Sequence, residues 1–202
     1  MEKKSKKEIS EVAIQLIKEK GYNNVTIMDI CDACHITRPT FYKYAGTKED
    51  LILDLYDAPI EYVVNNPMLF IQADTYIERL FITFDAILKK PEDLGPDIFS
   101  QLFISNLNEN HHSFQMRDSL TELSVLIIEK AQANGEILNP SPAMDLYIAL
   151  AHTFQGFEIN WCILKGEFDL RFWFYSSTEA ILNVRKDIRP NLLKYRQNPN
   201  KE

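Results

Sequence analysis

The chain has 202 residues, of which 46% are hydrophobic and 25% charged, and its formal net charge is −7. This composition is ordinary for a folded globular protein, and six Gly and nine Pro provide little turn chemistry for a β-rich fold. The basic N-terminus has no apolar segment like that of a secretory signal, and no apolar run approaches the roughly 18 residues that span a bilayer, so we expect a cytoplasmic protein without membrane association.

The charge is unevenly distributed along the chain. Residues 1–48 contain nine Lys or Arg and six Asp or Glu, a net of +3, which leaves −10 for the rest. Contact electrostatics are short-ranged at physiological salt. A mildly basic N-terminal part on an acidic body is therefore compatible with local binding of nucleic acid.

The first predicted helix begins after Ser5, which forms a capping box with Glu8. One apolar face follows the helical period, and Gly21 is a suitable stop. The residues of that face are Ile9, Val12, Ala13, Leu16 and Ile17.

Two more short helices are predicted before residue 46. Thr26 can cap the second, with Asp29 three residues later, and this helix ends near His35. Thr37 can cap the third, which carries Pro39 in its first turn, where a missing N–H costs little. A turn of about three residues joins the two helices, and this spacing is that of a helix-turn-helix.

Cys31 and Cys34 form a CxxC pair with His35 adjacent. Such a pair can be a metal or redox site, but zinc needs four ligands and no second Cys/His pair has suitable spacing. With Cys162, three cysteines do not form a disulfide framework either. We interpret the pair as two small buried residues one turn apart on a helix, and we predict no metal and no cofactor.

From residue 33 to 48 the sequence has no acidic residue but many hydrogen-bond donors. A solvated helix normally mixes both signs of charge. If the third helix enters a major groove, Arg38 is the natural base reader, because its planar fork matches guanine O6 and N7. Lys43 is a phosphate contact or a second base reader. The other predicted DNA contacts are Thr26, Thr37, Thr40, Tyr42, Tyr44 and Lys48.

The remainder of the chain predicts a connecting helix and then a helical bundle. Thr47 caps the connecting helix, whose apolar residues are Leu51, Ile52, Leu55 and Tyr56 and which Pro59 should kink or interrupt. Further helices are predicted near 73–90, 95–108, 113–134, 141–165 and 169–188, with Gly135 as a stop and Ser141-Pro142 as a start. We predict a first domain at 1–46, which contains the three short helices, a connecting helix at 47–66 and a helical bundle at 67–202.

The segment GYNNVTIMDICDACHITRPTFYKYAGTKEDL, from Gly21 to Leu51, resembles the DNA-binding domain of the TetR family of bacterial transcriptional regulators. The match lies in the Gly-Tyr pair, in the Ile-Thr and Thr-Phe-Tyr runs, and in Lys48-Glu49-x-Leu51. The resemblance implies an all-α protein that forms a homodimer on a palindromic operator and is released from the DNA by a small-molecule effector. It also implies that Arg38 and Lys43 set sequence preference.

Three residues depart from the family pattern. His35 stands where Gly is common in the turn, so a left-handed backbone there would cost it something. Ala45 replaces a large apolar anchor of the recognition helix, and Met28 replaces a polar base reader used by some members.

Ligand and dimer residues are predicted on the two long C-terminal helices. Pockets combine apolar walls with a few polar groups, and the candidates are His152, Gln155, Asn160 and Trp161, with Asn106, His111 and His112 as weaker ones. The acidic body favours a neutral or cationic apolar ligand. The aromatic residues exceed what one bundle needs and predict a dimer seam; they are Phe154, Phe157, Trp161, Phe172 and Trp173.

The sequence thus predicts a dimeric, sequence-specific DNA-binding regulator, most simply a repressor that a small molecule releases. An activator, or a ligand-independent regulator controlled by a protein partner, is the alternative, and a helical sensor or scaffold without DNA binding is a more distant one. There is no nucleophile elbow, Gly-rich phosphate loop or metal triad, so we predict no enzymatic activity and no catalytic residue.

Overall fold

A computed structural model of the chain describes residues 5–110 and 114–197; for residues 53–58 and 90 it describes the backbone alone. Over these residues the protein is helical, without a β-strand beyond an isolated bridge between Ile137 and Val184. The prediction of an all-α fold is therefore confirmed. The helices are α1 (Lys6–Lys20), α2 (Ile27–Cys34), α3 (Arg38–Phe41), α4 (Lys48–Asn65), α5 (Tyr76–Leu94), α6 (Pro96–Asn108), α7 (Asp118–Ala133), α8 (Ala143–Ile163), α9 (Leu170–Leu182) and α10 (Arg189–Leu192).

The chain divides into two compact units, residues 1–59 with 90–113 and residues 60–89 with 114–202. In the first unit α1 begins with the predicted capping box, since the Ser5 hydroxyl accepts from the Glu8 amide and the Glu8 carboxylate accepts from the Ser5 amide. The buried face of α1 includes Ile9, Ala13 and Ile17. α1 contacts α2, and α6 contacts the 3₁₀ turn Tyr22–Asn24. The predicted domain boundaries at 46 and 66 stay a prediction.

α4 and α5 each contain a proline. α4 begins after Thr47, whose hydroxyl accepts from the Asp50 amide at 3.2 Å, as predicted. It continues through Pro59, so the proline does not interrupt the helix. Leu55 and Tyr56, which were predicted on the apolar face of this helix, are among the residues whose side chains the structure does not describe. α5 runs four residues beyond its predicted end and includes Pro91; Gly95, with φ +83°, follows it.

The second unit has an aromatic core on α5, α8 and α9. The rings of Phe84 and Phe154 each lie near Phe174, with centroid distances of 5.0 Å. Phe81 stacks on Tyr175 at 4.6 Å. Because these rings fill the space between three helices, they fix how those helices pack within this unit.

Several predicted helix ends in this unit are wrong by a few residues. α8 begins at Ala143 with Pro142, rather than the predicted Ser141, as its N-cap, and no side-chain hydrogen bond caps the helix. α9 ends at Leu182 rather than near 188. Asn183 there adopts the left-handed conformation, and Val184 pairs with Ile137 across the unit.

The C-terminal segment 189–196 is tied to two buried carboxylates of the same unit. Glu78 accepts from the Lys194 ammonium at 2.6 Å, and Glu179 lies 2.7 Å from the Arg196 guanidinium. Both carboxylates are almost fully buried, so the pairs offset the cost of burying their charge. None of the described helices is long and apolar enough to cross a membrane.

Candidate nucleic-acid interface

The turn between α2 and α3 is formed by a histidine in the left-handed region. His35 has φ 54° and ψ 43°, and its amide donates to Asp32 O at 3.2 Å. Ile36 N donates to Cys31 O at 3.0 Å, which completes the helix end. The left-handed backbone, which the sequence comparison raised as a cost for a non-glycine residue, is thus present at this position. It turns the chain so that Thr37 can cap α3.

α3 is a single short turn of helix, and its apolar side is buried in the first unit. Phe41 is fully buried, and Ala45, four residues past the end of the helix, is 6% exposed. Cys31 and Cys34 are buried on α2, as the small-residue interpretation predicts, and burial raises the pKa of the Cys31 thiol. No group of three or more potential metal ligands occurs among the described residues. The CxxC pair is therefore part of the packing beneath α3.

With this side buried, the polar residues of the α3 region lie on its outside. Thr37, Arg38, Tyr42 and Lys43 are exposed, and Tyr42 has 54% of its surface accessible. Thr40 is half-buried, and its hydroxyl lies 3.0 Å from that of Thr37. Tyr44 is also half-buried. The predicted DNA contacts from Thr37 to Tyr44 thus lie wholly or partly at the surface, and they present ammonium, guanidinium and hydroxyl groups but no carboxylate.

Thr26 lies at the start of α2, where a capping box uses its side chain. The Thr26 hydroxyl accepts from the Asp29 amide at 3.2 Å and donates to Asp29 Oδ2 at 2.5 Å. This hydroxyl hydrogen bond, with that from the Thr26 amide, lowers the pKa of the Asp29 carboxyl. A carboxylate consequently sits beside Thr26 at the helix N-terminus. The predicted phosphate contact of Thr26 stays a prediction.

Lys48, the first residue of α4, holds the segment between α1 and α2. Its ammonium donates to Tyr22 O at 2.7 Å and to Val25 O at 2.9 Å, and it lies 3.9 Å from the Tyr22 ring centroid. The side chain is half-buried, and burial lowers its pKa. Two of the three ammonium donors are thus used inside the domain. Sequence reasoning missed this structural role, because the partners lie more than twenty residues away.

A surface cleft of about 400 Å³ borders the α3 region and contains a further cation. Its lining residues are Lys6, Tyr42, Lys43, Tyr44, Ala45, Gly46 and Asp50. Lys6 is absent from the contacts predicted from the sequence. The basic N-terminus was a signal of this kind, but the sequence did not show which of its lysines faces the α3 region.

The predicted pocket residues of α8 differ in how far they are exposed. His152 and Asn160 are exposed, whereas Trp161 is 8% exposed. Gln155 is half-buried and donates to Phe114 O at 2.7 Å. His111 and His112 lie outside the described residues. The assignment of a pocket to these side chains stays a prediction.

Comparison with known proteins agrees with this geometry. Residues 9–55 match the sequence model of bacterial regulatory proteins of the tetR family. Over 67 residues the chain is 34% identical to the HTH-type transcriptional regulator YuxN of Bacillus subtilis, a match that covers 31% of this chain and 23% of that protein. The chain thus matches about a quarter of the length of this relative.

Solved structures resemble the chain over most of its length. FadR of Thermus thermophilus, a TetR-family transcriptional repressor solved in complex with lauroyl-CoA, has a TM-score of 0.69 at 20% identity and covers 90% of this chain and 97% of its own. A TetR-family regulator of Syntrophomonas wolfei has a TM-score of 0.57 at 22% identity, with 88% and 91% covered. These likenesses show that the fold is that of TetR-family proteins, with an N-terminal helix-turn-helix and a helical C-terminal part.

Proposed function

We propose that this chain, whose residues 9–55 match the model of the tetR family of bacterial regulatory proteins, is a regulator of that family and acts as a dimeric repressor that binds a palindromic operator. Proteins of this family are DNA-binding regulators, not enzymes. The observation that carries the proposal is the set of exposed donors at Thr37, Arg38, Tyr42 and Lys43, in a segment of the chain without an acidic residue. Its donors suit the phosphates and base edges of a major groove.

Arg38 is the base reader in this proposal. It is exposed on α3 while Phe41 anchors the opposite side of the same turn. A guanidinium presented from the N-terminal end of a recognition helix can form two hydrogen bonds with guanine. Lys43 and the tyrosine hydroxyls then contact the flanking backbone, and they orient the domain without reading sequence.

A homodimer supplies the second half-site. Phe172 and Trp173 on α9 are 40% and 48% exposed, and Ile159 and Ile163 on α8 are 43% and 67% exposed. Large apolar side chains gathered on neighbouring helices favour a protein interface. Phe154 and Trp161, also predicted for the seam, are buried within one chain and so contribute to its core.

A small molecule with an apolar body is the proposed effector of the second unit. FadR, which has a similar fold, holds lauroyl-CoA. The helices of the second unit are rich in apolar and aromatic side chains, which are the residues that line most ligand pockets. Binding of such a molecule would release the operator only if it favoured one conformation of the dimer over the other.

Selection from a library of random duplexes with the purified full chain tests the proposal. Enrichment of a palindrome is the expected result, with a half-site separation of about 10 base pairs or a multiple of it. Addition of candidate effectors, including acyl-CoAs, should then reduce binding to the selected duplex. Absence of enrichment, both alone and with cell extract as a source of effector, would contradict DNA binding.

A further inference from the structure

We propose that the cleft beside the α3 region binds a phosphate of the DNA backbone, with Lys6 of α1 as a contact that extends the footprint beyond the helix-turn-helix. This inference rests on the proposed DNA-binding function. It adds a third element, α1, to the interface.

The lining of the cleft is suited to an oxyanion. Lys6 and Lys43 contribute two ammonium groups from separate parts of the first unit, and Tyr42 and Tyr44 contribute phenolic hydroxyls. All four side chains are accessible or half-buried. Cations and hydroxyl donors that converge on one concave surface complement the charge of a nucleic-acid backbone.

The carboxylate of Asp50 also lines the cleft, but two backbone amides donate hydrogen bonds to one of its oxygens. Asp50 Oδ2 accepts from the Gly46 amide at 2.8 Å and from the Thr47 amide at 3.0 Å. These hydrogen bonds partly offset its negative charge toward the cleft. Asp50 thereby shapes the wall of the cleft near Gly46.

The position of Lys6 in its helix can be compared with that of Lys7. Lys6 is the first residue of α1, where the helix dipole disfavours a cation. The dipole also disfavours the charge of its neighbour Lys7, whose ammonium lies 4.0 Å from the carboxylate of Glu11 on an exposed part of the helix. Lys7 does not line the cleft. The two lysines therefore provide a matched pair, equal in charge and adjacent in the first turn of α1, of which only Lys6 lines the cleft.

The cleft is continuous with the proposed DNA surface. Tyr42 and Lys43 line it and also belong to the exposed side of the α3 region. A duplex whose groove receives Arg38 would bring its backbone past these residues. Lys6 would then contact the same strand next to Lys43.

The test is the salt dependence of duplex binding by the full chain and by the variants Lys6→Ala, Lys6→Arg and Lys7→Ala. Removal of one phosphate contact per chain should make the slope of log K against log salt shallower by about 0.9, or about 1.8 for two chains on a palindrome. At 0.1 M salt the affinity should fall roughly eightfold for each phosphate that is no longer neutralised. Lys6→Arg should keep the wild-type slope, and Lys7→Ala should differ little from wild type.

Equal slopes for Lys6→Ala and Lys7→Ala would overturn the inference. Thermal unfolding of both variants checks that each is folded. If the wild-type chain itself shows no duplex binding, the proposed function fails before the cleft is tested.

A second measurement separates backbone phosphate from a free anion. Inorganic phosphate is titrated into the wild-type chain, and the amide signals of Tyr44 and Gly46 are followed by nuclear magnetic resonance. Saturation at millimolar phosphate, together with a wild-type salt slope for Lys6→Ala, would mean that the cleft takes a free anion and not DNA. A shallower slope for Lys6→Ala supports the DNA contact.

Discussion

The ammonium of Lys48 donates a hydrogen bond of 2.7 Å to the backbone carbonyl of Tyr22 and lies 3.9 Å from the centre of its ring. A second hydrogen bond, to Val25 O, ties the start of α4 to the residue just before the cap of α2. Lys48 thus has a structural role in addition to the phosphate contact predicted from the sequence. The two roles lead to different results on mutation.

Lys48→Ala should reduce the free energy of unfolding by about 1–3 kcal/mol, because it leaves two carbonyls without their charged donor. A phosphate contact alone would leave stability unchanged and make the salt slope shallower by about 0.9 per chain. Urea unfolding and salt titration of the same variant measure both effects. Unchanged stability would contradict the structural role, and an unchanged slope would remove Lys48 from the phosphate contacts.

Arg38→Ala should weaken binding to the selected operator by about 1–3 kcal/mol more than binding to random duplex, since base readout is abolished. Arg38→Lys is the matched control, because it keeps the charge but lacks the planar fork. It should restore nonspecific affinity without restoring discrimination. Equal decreases on both duplexes for Arg38→Ala would instead make Arg38 a phosphate contact.

His35→Gly should raise the free energy of unfolding by roughly 0.5–1 kcal/mol. The left-handed backbone costs a non-glycine residue about 1–2 kcal/mol, and glycine removes this cost. Glycine also gives the unfolded chain more conformational freedom, which lowers the free energy of unfolding and cancels part of the stabilisation. His35→Val should be destabilising, since branching at Cβ conflicts with φ 54°. Denaturant titration of both variants is the measurement. A decrease in stability in His35→Gly would show that the imidazole makes a compensating interaction.

Trp173→Glu should weaken the dimer by about 10- to 100-fold. Burial of a large apolar side chain is worth about 1.5–3 kcal/mol, and each 1.4 kcal/mol corresponds to a tenfold change. Sedimentation equilibrium measures the dimer constant. Leu138→Glu, at a residue 51% exposed outside α8 and α9, is the control and should leave the dimer intact. If both variants have the same dimer dissociation constant, Trp173 is not part of the dimer interface.

Tyr195→Phe should flatten the alkaline loss of stability of the second unit. Burial, followed by the nearby charge of Glu78, raises the pKa of Tyr195 to about 12. A raised folded pKa contributes stability that is complete below the unfolded pKa of about 10 and is lost as the pH rises towards 12. Urea unfolding at pH 9 and pH 11.5 should show an extra decrease of about 1–2 kcal/mol in the wild type, after allowance for partial exposure. Parallel decreases in both proteins would contradict this link.

Sequence reasoning succeeded where the determinants of structure are local. The capping boxes Ser5–Glu8 and Thr26–Asp29 and the turn at His35 each involve residues three or fewer positions apart, or a single backbone conformation. Such signals are readable without knowledge of the rest of the fold. The helices of the first 46 residues therefore agree with the prediction.

The features that sequence reasoning missed depend on contacts between distant parts of the chain. The bonds from Lys48 to Tyr22 and Val25, and the approach of Lys6 to the α3 region, join different helices. The end of α9 is set where Val184 pairs with Ile137, and the tail ion pair joins Lys194 to Glu78 across 116 positions. No periodicity or composition encodes these contacts.

Binding of the operator by a dimer is tested most directly by a salt titration of the full chain on its selected duplex, with the stoichiometry measured in parallel. We expect two chains per duplex and a log K that falls linearly with log salt, with a slope of about −0.9 for each phosphate contacted. A flat dependence, or one chain per duplex without preference for the selected sequence, would contradict it.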